Sequence, residues 1–284
     1  MSESLVQVLI LRAAGANCDR ELAHAFQLAG AHPHRVHVRQ LLRDPGMLER
    51  MQIMAIPGGF SYGDDIASGK ILANQLMHHL RGPLTQWVRD RKPLLGVCNG
   101  FQVLVKAGLL PGPPADATGV EAEFRQRDVT LTFNMPGRFV DTWVRLRSVS
   151  KKCIWLPPEQ TLRLPIAHGE GRLMCGDAGV LDALAQRDQV ALVYADEKGA
   201  VARKFPDNPN GSAGAVAGLC DATGCVLGLM PHPERFVESI SDPLRTGAPR
   251  HEGHDGAAGD GMIFFRRAVE YVRTSAAIAL TAAS

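Results

Sequence analysis

Four short runs of strand character, Leu5 to Leu11, Arg35 to Val38, Met51 to Ile56 and Leu94 to Val97, alternate with helix-like stretches through the first hundred residues. Strands separated this way pair in parallel, because a parallel neighbour needs a crossover and a helix supplies it. The chain is therefore expected to be α/β, with a doubly wound, mostly parallel sheet and helices on both faces. Its crossovers should be right-handed and its ligands should lie at the carboxyl ends of the strands. Asn17 or Asp19 caps a first helix whose stripe is Leu22, Phe26 and Ala29, closed by Gly30. Asp44-Pro45 is a cap followed by proline at the first helical position. Two further helices are expected at about 70–80 and 83–91, and another at about 99–107.

From about residue 120 the texture changes. Val129 to Phe133 and Phe139 to Leu146 alternate around Asn134-Met135-Pro136-Gly137, which reads as a β-hairpin. Strands are also expected at 162–167, 190–195, 200–203, 215–219 and 225–230. A helix capped by Asp177 should run through Ala185, and a last one should cover about 261–274. Residues 241–260 are rich in Gly, Pro, His and Asp and read as a loop insertion. With neither repeat nor linker in view, residues 1–284 are expected to form one domain.

Composition narrows the function. Thirty-one basic against 29 acidic residues leave a formal charge of +2, which argues against nucleic acid as the partner. The six cysteines form no CxxC pair, so a zinc ribbon and a thioredoxin motif are excluded. Polar residues interrupt the longest apolar stretch, Leu94 to Leu110, so no membrane span is expected. The absence of a signal-like opening points to a cytoplasmic location with reduced thiols.

Three strand ends carry chemistry. In Gly96-Val97-Cys98-Asn99-Gly100 a buried strand passes through a cysteine directly into a helix. This is the layout of a nucleophile elbow, in which small flanking residues permit a tight turn and the side chain stands clear at the sheet edge. The helix N-terminus then favours a thiolate and offers amides to an oxyanion. A second strand, Val226 to Met230, ends in Pro231-His232-Pro233-Glu234. His232 is placed to act as general base for Cys98, with Glu234 orienting its ring. A third ends in Pro57-Gly58-Gly59-Phe60, where glycines let backbone approach a substrate, and the Gly59 and Asn99 amides together would form an oxyanion hole. Taken singly, a cysteine in a strand-to-helix turn, a His-Pro turn and a Pro-Gly turn are all commonly structural. Both Cys98 and His232 lie at strand ends, which favours catalysis.

With those elements in place, the chain resembles the class I (triad) glutamine amidotransferases, and more narrowly the family of glutaminase subunits of phosphoribosylformylglycinamidine synthase. The residues carrying this are Gly15 to Glu21 (with Asn17-Cys18-Asp19), Pro57 to Asp64, Gly96 to Gln102, Ala167-His168-Gly169-Glu170-Gly171, Asn208 to Ser212 and Pro231 to Arg235. The resemblance implies a flavodoxin-like amidotransferase fold with added β-hairpins. It implies Cys98 as nucleophile, His232 and Glu234 completing the triad, and Gly59 and Asn99 as oxyanion donors. Gln102, His168 and Gly169 would line the glutamine pocket. No cofactor or metal is expected in this chain. ATP and Mg would belong to a separate synthetase partner, with a small accessory subunit as a further member. Rival readings are another class I amidotransferase glutaminase and a non-catalytic regulatory homologue.

Other signals are weaker. Gly63 to Lys70 imitates a phosphate loop with the wrong spacing. His32, His34 and His37 read as a solvated strand edge, and His251 and His254 as part of the insertion. Cys18 sits in a first helical turn without an assigned base.

Overall fold

The computed structural model describes residues 5–113, 128–135, 137–245 and 258–283. Its frame is a nine-stranded sheet that draws on both halves of the chain. The first half supplies β1 (Val6–Arg12), β2 (Ala31–His37), β3 (Ile53–Ile56) and β4 (Leu94–Val97). The second supplies β6 (Val140–Ser148), β7 (Thr161–His168), β9 (Val190–Ala195), β10 (Val216–Cys220) and β11 (Val226–Leu229). Their order is β2-β1-β3-β4-β11-β10-β9-β6-β7. The pairings from β2 to β11 are parallel and those from β11 to β7 antiparallel. The expected mostly parallel α/β sheet with added antiparallel strands is thus present.

The helices are α1 (Asp19–Leu28), α2 (Val38–Arg43), α3 (Lys70–Arg89), α4 (Asn99–Lys106), α5 (Ala178–Gln186) and α6 (Met262–Ala283). The step from β1 through α1 to β2 and the step from β3 through α3 to β4 run in opposite directions along the sheet. Right-handed crossovers then put α1 and α3 on opposite faces. Phe26 of α1 meets Phe265 of α6 edge to face at 5.0 Å, joining those helices in one layer.

Several expectations are corrected. The hairpin across residues 129–146 does not form. β5 (Val129–Thr132) pairs instead with β8 (Arg172–Cys175) in a separate two-stranded sheet, while β6 pairs with β7 and β9. Alternation identified strands correctly but could not choose their partners. The two helices expected at 70–91 are one, α3, with Pro83 inside it. Leu72, Leu76, Leu80, Leu84 and Trp87 form one buried stripe along its length, which holds the helix through the proline. The segment after Asp44 is a 3₁₀ turn, Pro45–Arg50, and α2 precedes it, capped by the His37 side chain accepting from Arg39 N. The strand at 200–203 is reduced to one bridge between Val201 and Ala195. β2 begins earlier than expected and contains Pro33, which an edge strand tolerates. Of the 241–260 segment, 246–257 lie outside the described residues. Arg163 of β7 holds both described flanks, with an ion pair to Asp242 at 3.0 Å and a backbone amide donated to Asp260.

Because β1, β3, β4 and β11 are parallel, their carboxyl ends share one edge. Three antiparallel steps beyond β10 return β7 to the same direction, so His168 also ends there.

Candidate active site

Cys98 joins β4 to α4 with φ 52° and ψ −105°, a conformation that L-residues avoid. Its amide is tied to Leu229 O at 2.8 Å and its carbonyl accepts from Gln102 N at 3.1 Å. These bonds from β11 and α4 hold the strained turn. Gly100 is required by close approach: a Cβ there would strike the Ile56 carbonyl at the end of β3. The Cys98 sulfur is buried, 3.9 Å from Ala167 O.

His232 follows β11, and its amide donates to Pro165 O of β7 at 2.9 Å. The residue is 1% exposed. Nδ1 donates to Glu234 Oε1 at 2.6 Å, and Nε2 has no hydrogen-bond partner among the described residues. Burial alone would push the imidazolium pKa down. The Glu234 carboxylate, the neighbouring Cys98 and the Cys18 sulfur outweigh it, and the value lies well above the ordinary 6.5. Cys98 and the imidazole converge on Gly58. A Cβ built there would lie 2.7 Å from His232 Cε1 and 3.5 Å from Cys98 Cβ.

The Gly58-Gly59 turn is held against the end of β1. Gly58 O accepts from the amides of Asn17 (3.2 Å) and Cys18 (3.4 Å), and Phe60 N donates to Gly15 O at 2.9 Å. Across a trans peptide, that fixed carbonyl turns the Gly59 N–H to the opposite side. Gly59 itself has φ 136°, and a Cβ would collide with Gly15 O. The Asn99 side chain laces the next loop to α4, accepting from Ser61 N (3.1 Å) and donating to Asp64 Oδ1 (3.1 Å) and Gln102 Oε1 (2.9 Å).

The remaining predicted residues form a wall beside this edge. Gln102 is buried and its amide is occupied by Asn99 on one side and Glu170 O on the other. It braces α4 against the turn after β7. His168 is 3% exposed, with Nδ1 against Asn134 Oδ1 at 3.1 Å and Nε2 without a partner among the described residues. Burial, assisted by the charge of His232, lowers its pKa to about 3, so the ring is neutral. Gly169 O accepts from Asn134 N at 2.9 Å.

The residues that hold this wall have no task legible in the sequence. Asn134 also binds His168 O (2.8 Å) and Gly171 N (3.0 Å). Asn210 donates to Gly171 O (2.8 Å) and to the Tyr194 hydroxyl (3.1 Å), and Ser212 Oγ donates to Asn210 Oδ1 (2.7 Å). The Asn208 to Ser212 block was visible as a motif, but its task depends on meeting residues about forty positions away. Cys18 was likewise visible without a role; its sulfur lies 3.9 Å from His232 Nδ1. Cys18, His232 and Glu234 hold their donor atoms within 4.8 Å of one another, which is the spacing of a metal cluster. Those atoms are already engaged: Glu234 with His232, and Cys18 with the guanidinium of Arg235 at 3.1 Å.

A strained cysteine turn, a carboxylate-backed histidine and a glycine turn thus meet at one sheet edge. Residues 5–272 match the CobB/CobQ-like glutamine amidotransferase domain. The chain is 39% identical over 271 residues to phosphoribosylformylglycinamidine synthase subunit PurQ of Dehalococcoides mccartyi, covering 95% of this chain and 99% of that protein. The chain belongs to the PurQ family. It is also 41% identical to the Treponema denticola PurQ subunit, over 81% of this chain and 88% of that one. A chain in the structure of PurLQS from Thermotoga maritima superposes with a TM-score of 0.65 at 27% identity, covering 95% of this chain and all of that one. Membership in the PurQ family makes the chain an enzyme subunit of the glutamine amidotransferase class. Among the described residues, no helix is long and apolar enough to cross a membrane.

Proposed function

We propose that the chain hydrolyses glutamine through Cys98, His232 and Glu234 and delivers the ammonia to a separate synthetase subunit of phosphoribosylformylglycinamidine synthase, in purine biosynthesis. The observation that carries this is the strained Cys98 turn beside a histidine whose Nδ1 is committed to a carboxylate at 2.6 Å. Cys98 Sγ attacks the side-chain carboxamide carbon of glutamine while His232 Nε2 takes the thiol proton. The tetrahedral oxyanion is met by the Gly59 and Asn99 amides, one turned by the anchored Gly58 carbonyl and the other at the N-terminus of α4. Collapse expels ammonia, protonated by His232, and leaves a γ-glutamyl thioester. Water, deprotonated by the same nitrogen, then releases glutamate and restores the thiol. Glu234 keeps the proton on Nδ1 and stabilises the imidazolium without taking the proton. His168 and Gly169 line the substrate side, and Gln102 supports that wall.

The chain itself needs no cofactor for these steps. ATP and Mg belong to the synthetase, which converts formylglycinamide ribonucleotide to the amidine, and a small accessory subunit completes the complex. The whole of residues 1–284 acts as one amidotransferase domain in the cytoplasm; pairing of β11 with β4 across more than 120 residues supports one folding unit. Cys98→Ala should lose glutamine hydrolysis by several orders of magnitude with its melting temperature within a few degrees of the parent. The assembled synthase should still use added ammonium. Glutamine-dependent turnover surviving in that variant would refute the assignment.

A further inference from the structure

Cys18 is fully buried at the junction between the end of β1 and α1, where it is the N-cap residue but makes no side-chain cap bond. It accepts a hydrogen bond from Arg235 Nη2 at 3.1 Å, contacts Asn17 Oδ1 at 3.1 Å, and stands 3.9 Å from His232 Nδ1. Arg235 is the residue after Glu234, and Glu234 Oε2 is buried without a partner among the described residues. A guanidinium beside a carboxylate ordinarily closes a two-point ion pair with it, the strongest arrangement open to either group. Here no nitrogen of Arg235 lies within 4.0 Å of the Glu234 carboxylate. The guanidinium is turned onto the Cys18 sulfur instead.

We propose that Cys18 is a positioning residue for the His232–Glu234 pair: its sulfur anchors Arg235 away from the Glu234 carboxylate, which thereby stays dedicated to His232. The inference rests on the triad reading given above. Its physical content is competition for one acceptor. A carboxylate shared with a guanidinium donates less electron density to Nδ1–H, holds the ring less firmly and stabilises the imidazolium less. Anchored as it is, Arg235 still lends long-range charge to the buried carboxylate without taking its oxygen. The ionisable groups that act on the ring are Cys98 from the β4–α4 turn, Cys18 ahead of α1, His168 at the end of β7 and Glu234 from its own turn, while Arg235 acts on Cys18, Glu234 and Cys98. Among the described residues, the guanidinium's hydrogen bond is the one to the Cys18 sulfur.

The test is a double-mutant cycle read in glutamate release by the chain assembled with its synthetase, over a range of pH. Cys18→Ala should lower kcat at least about tenfold with KM within a factor of two, since orientation of a general base is a term in turnover and not in substrate binding. The limb of the pH profile belonging to His232 should move toward acid. Cys18→Ser, which keeps an acceptor, should recover part of the loss. In an Arg235→Ala background, adding Cys18→Ala should change kcat less than twofold, because no guanidinium remains to be misdirected. Equal penalties in both backgrounds, or an unmoved His232 limb, would mean that Cys18 only fills space and would overturn the proposal. Cys18→Val replaces Cys18→Ala where the latter does not fold, and must give the same pattern. Cys98→Ala serves as the control: activity surviving there would sink the triad reading itself, whereas a dead Cys98→Ala beside a normal Cys18→Ala would sink only this inference.

Discussion

Gly58 is the position where one methyl group should do the most damage to function for the least to folding. Its φ is not in the left-handed region, so alanine adopts the backbone without strain. The added Cβ would lie 2.7 Å from His232 Cε1, 3.3 Å from Cys18 Sγ and 3.5 Å from Cys98 Cβ. Carbon atoms pack at about 3.5 Å or more, so the imidazole must retreat by about 0.8 Å. It cannot do so freely, because Nδ1 is held at 2.6 Å by a buried carboxylate and the backbone is held by Pro165 O. A displacement near 1 Å at a catalytic base costs about 100-fold in rate, equivalent to about 2.7 kcal/mol in the barrier. The strain of overpacking, about 1–3 kcal/mol, is partly offset by the lower entropy of the unfolded alanine chain. Gly58→Ala should therefore melt within several degrees of the parent while kcat for glutamate release falls about 100-fold with KM little changed. Gly82→Ala, on α3 with nothing within 4 Å of its Cβ, is the matched control and should leave activity intact and stability equal or higher. Activity of Gly58→Ala within threefold of the parent, at an unchanged melting temperature, would show that the ring has slack and that the crowding at Gly58 does not set its position.

In the proposed mechanism Glu234 orients the ring and takes no proton, so Glu234→Ala should retain more turnover than His232→Ala; the reverse order, with both proteins folded, would exchange their roles. His168 bears on pH stability. Its folded pKa of about 3 lies below the unfolded 6.5, so between these values the unfolded chain binds the extra proton. Its share of stability is present above about pH 6.5 and lost as pH falls toward 3, on the order of 4 to 5 kcal/mol over the whole window. His168→Gln should flatten that acid limb in denaturation measured from pH 7 to 4.5, and an unaltered slope would show that the ring titrates normally. His232 has the opposite sign: its raised pKa contributes stability fully below about 6.5, lost as pH rises through the folded value. Asp177 caps α5 by accepting from Gly179 N at 2.8 Å, so Asp177→Ala should cost about 1 kcal/mol in chemical denaturation without altering activity.

Local pattern carried the parallel half of the fold a long way. β4 and β9 have the bounds that the apolar runs suggested, and Asp177 caps the helix it was expected to cap. These are elements whose residues answer to neighbours only a few positions distant. The errors occurred where a distant partner decides. Val129 to Thr132 alternates like a hairpin arm, yet its partner is Arg172–Cys175, and nothing in alternation distinguishes those two strands. Pro83 is a helix breaker by local rules, but Leu80, Leu84 and Trp87 all find the same buried surface, and that burial outweighs one missing backbone donor.

The site divides in the same way. The strand-turn-helix around Cys98, the glycines that this turn needs and the Pro-flanked His232 with Glu234 two residues on are legible along the chain, because each is dictated by backbone sterics over a few residues. How these pieces meet is a matter of tertiary contacts: a Cβ at Gly58 would crowd both Cys98 and His232, Asn134 and Asn210 clamp the turn after β7, and Cys18 takes the guanidinium of Arg235. Those contacts join residues from 34 to 217 positions apart. They exist because the parallel strands place their carboxyl ends along one edge, and the order of strands in a sheet is set by the packing of the whole chain.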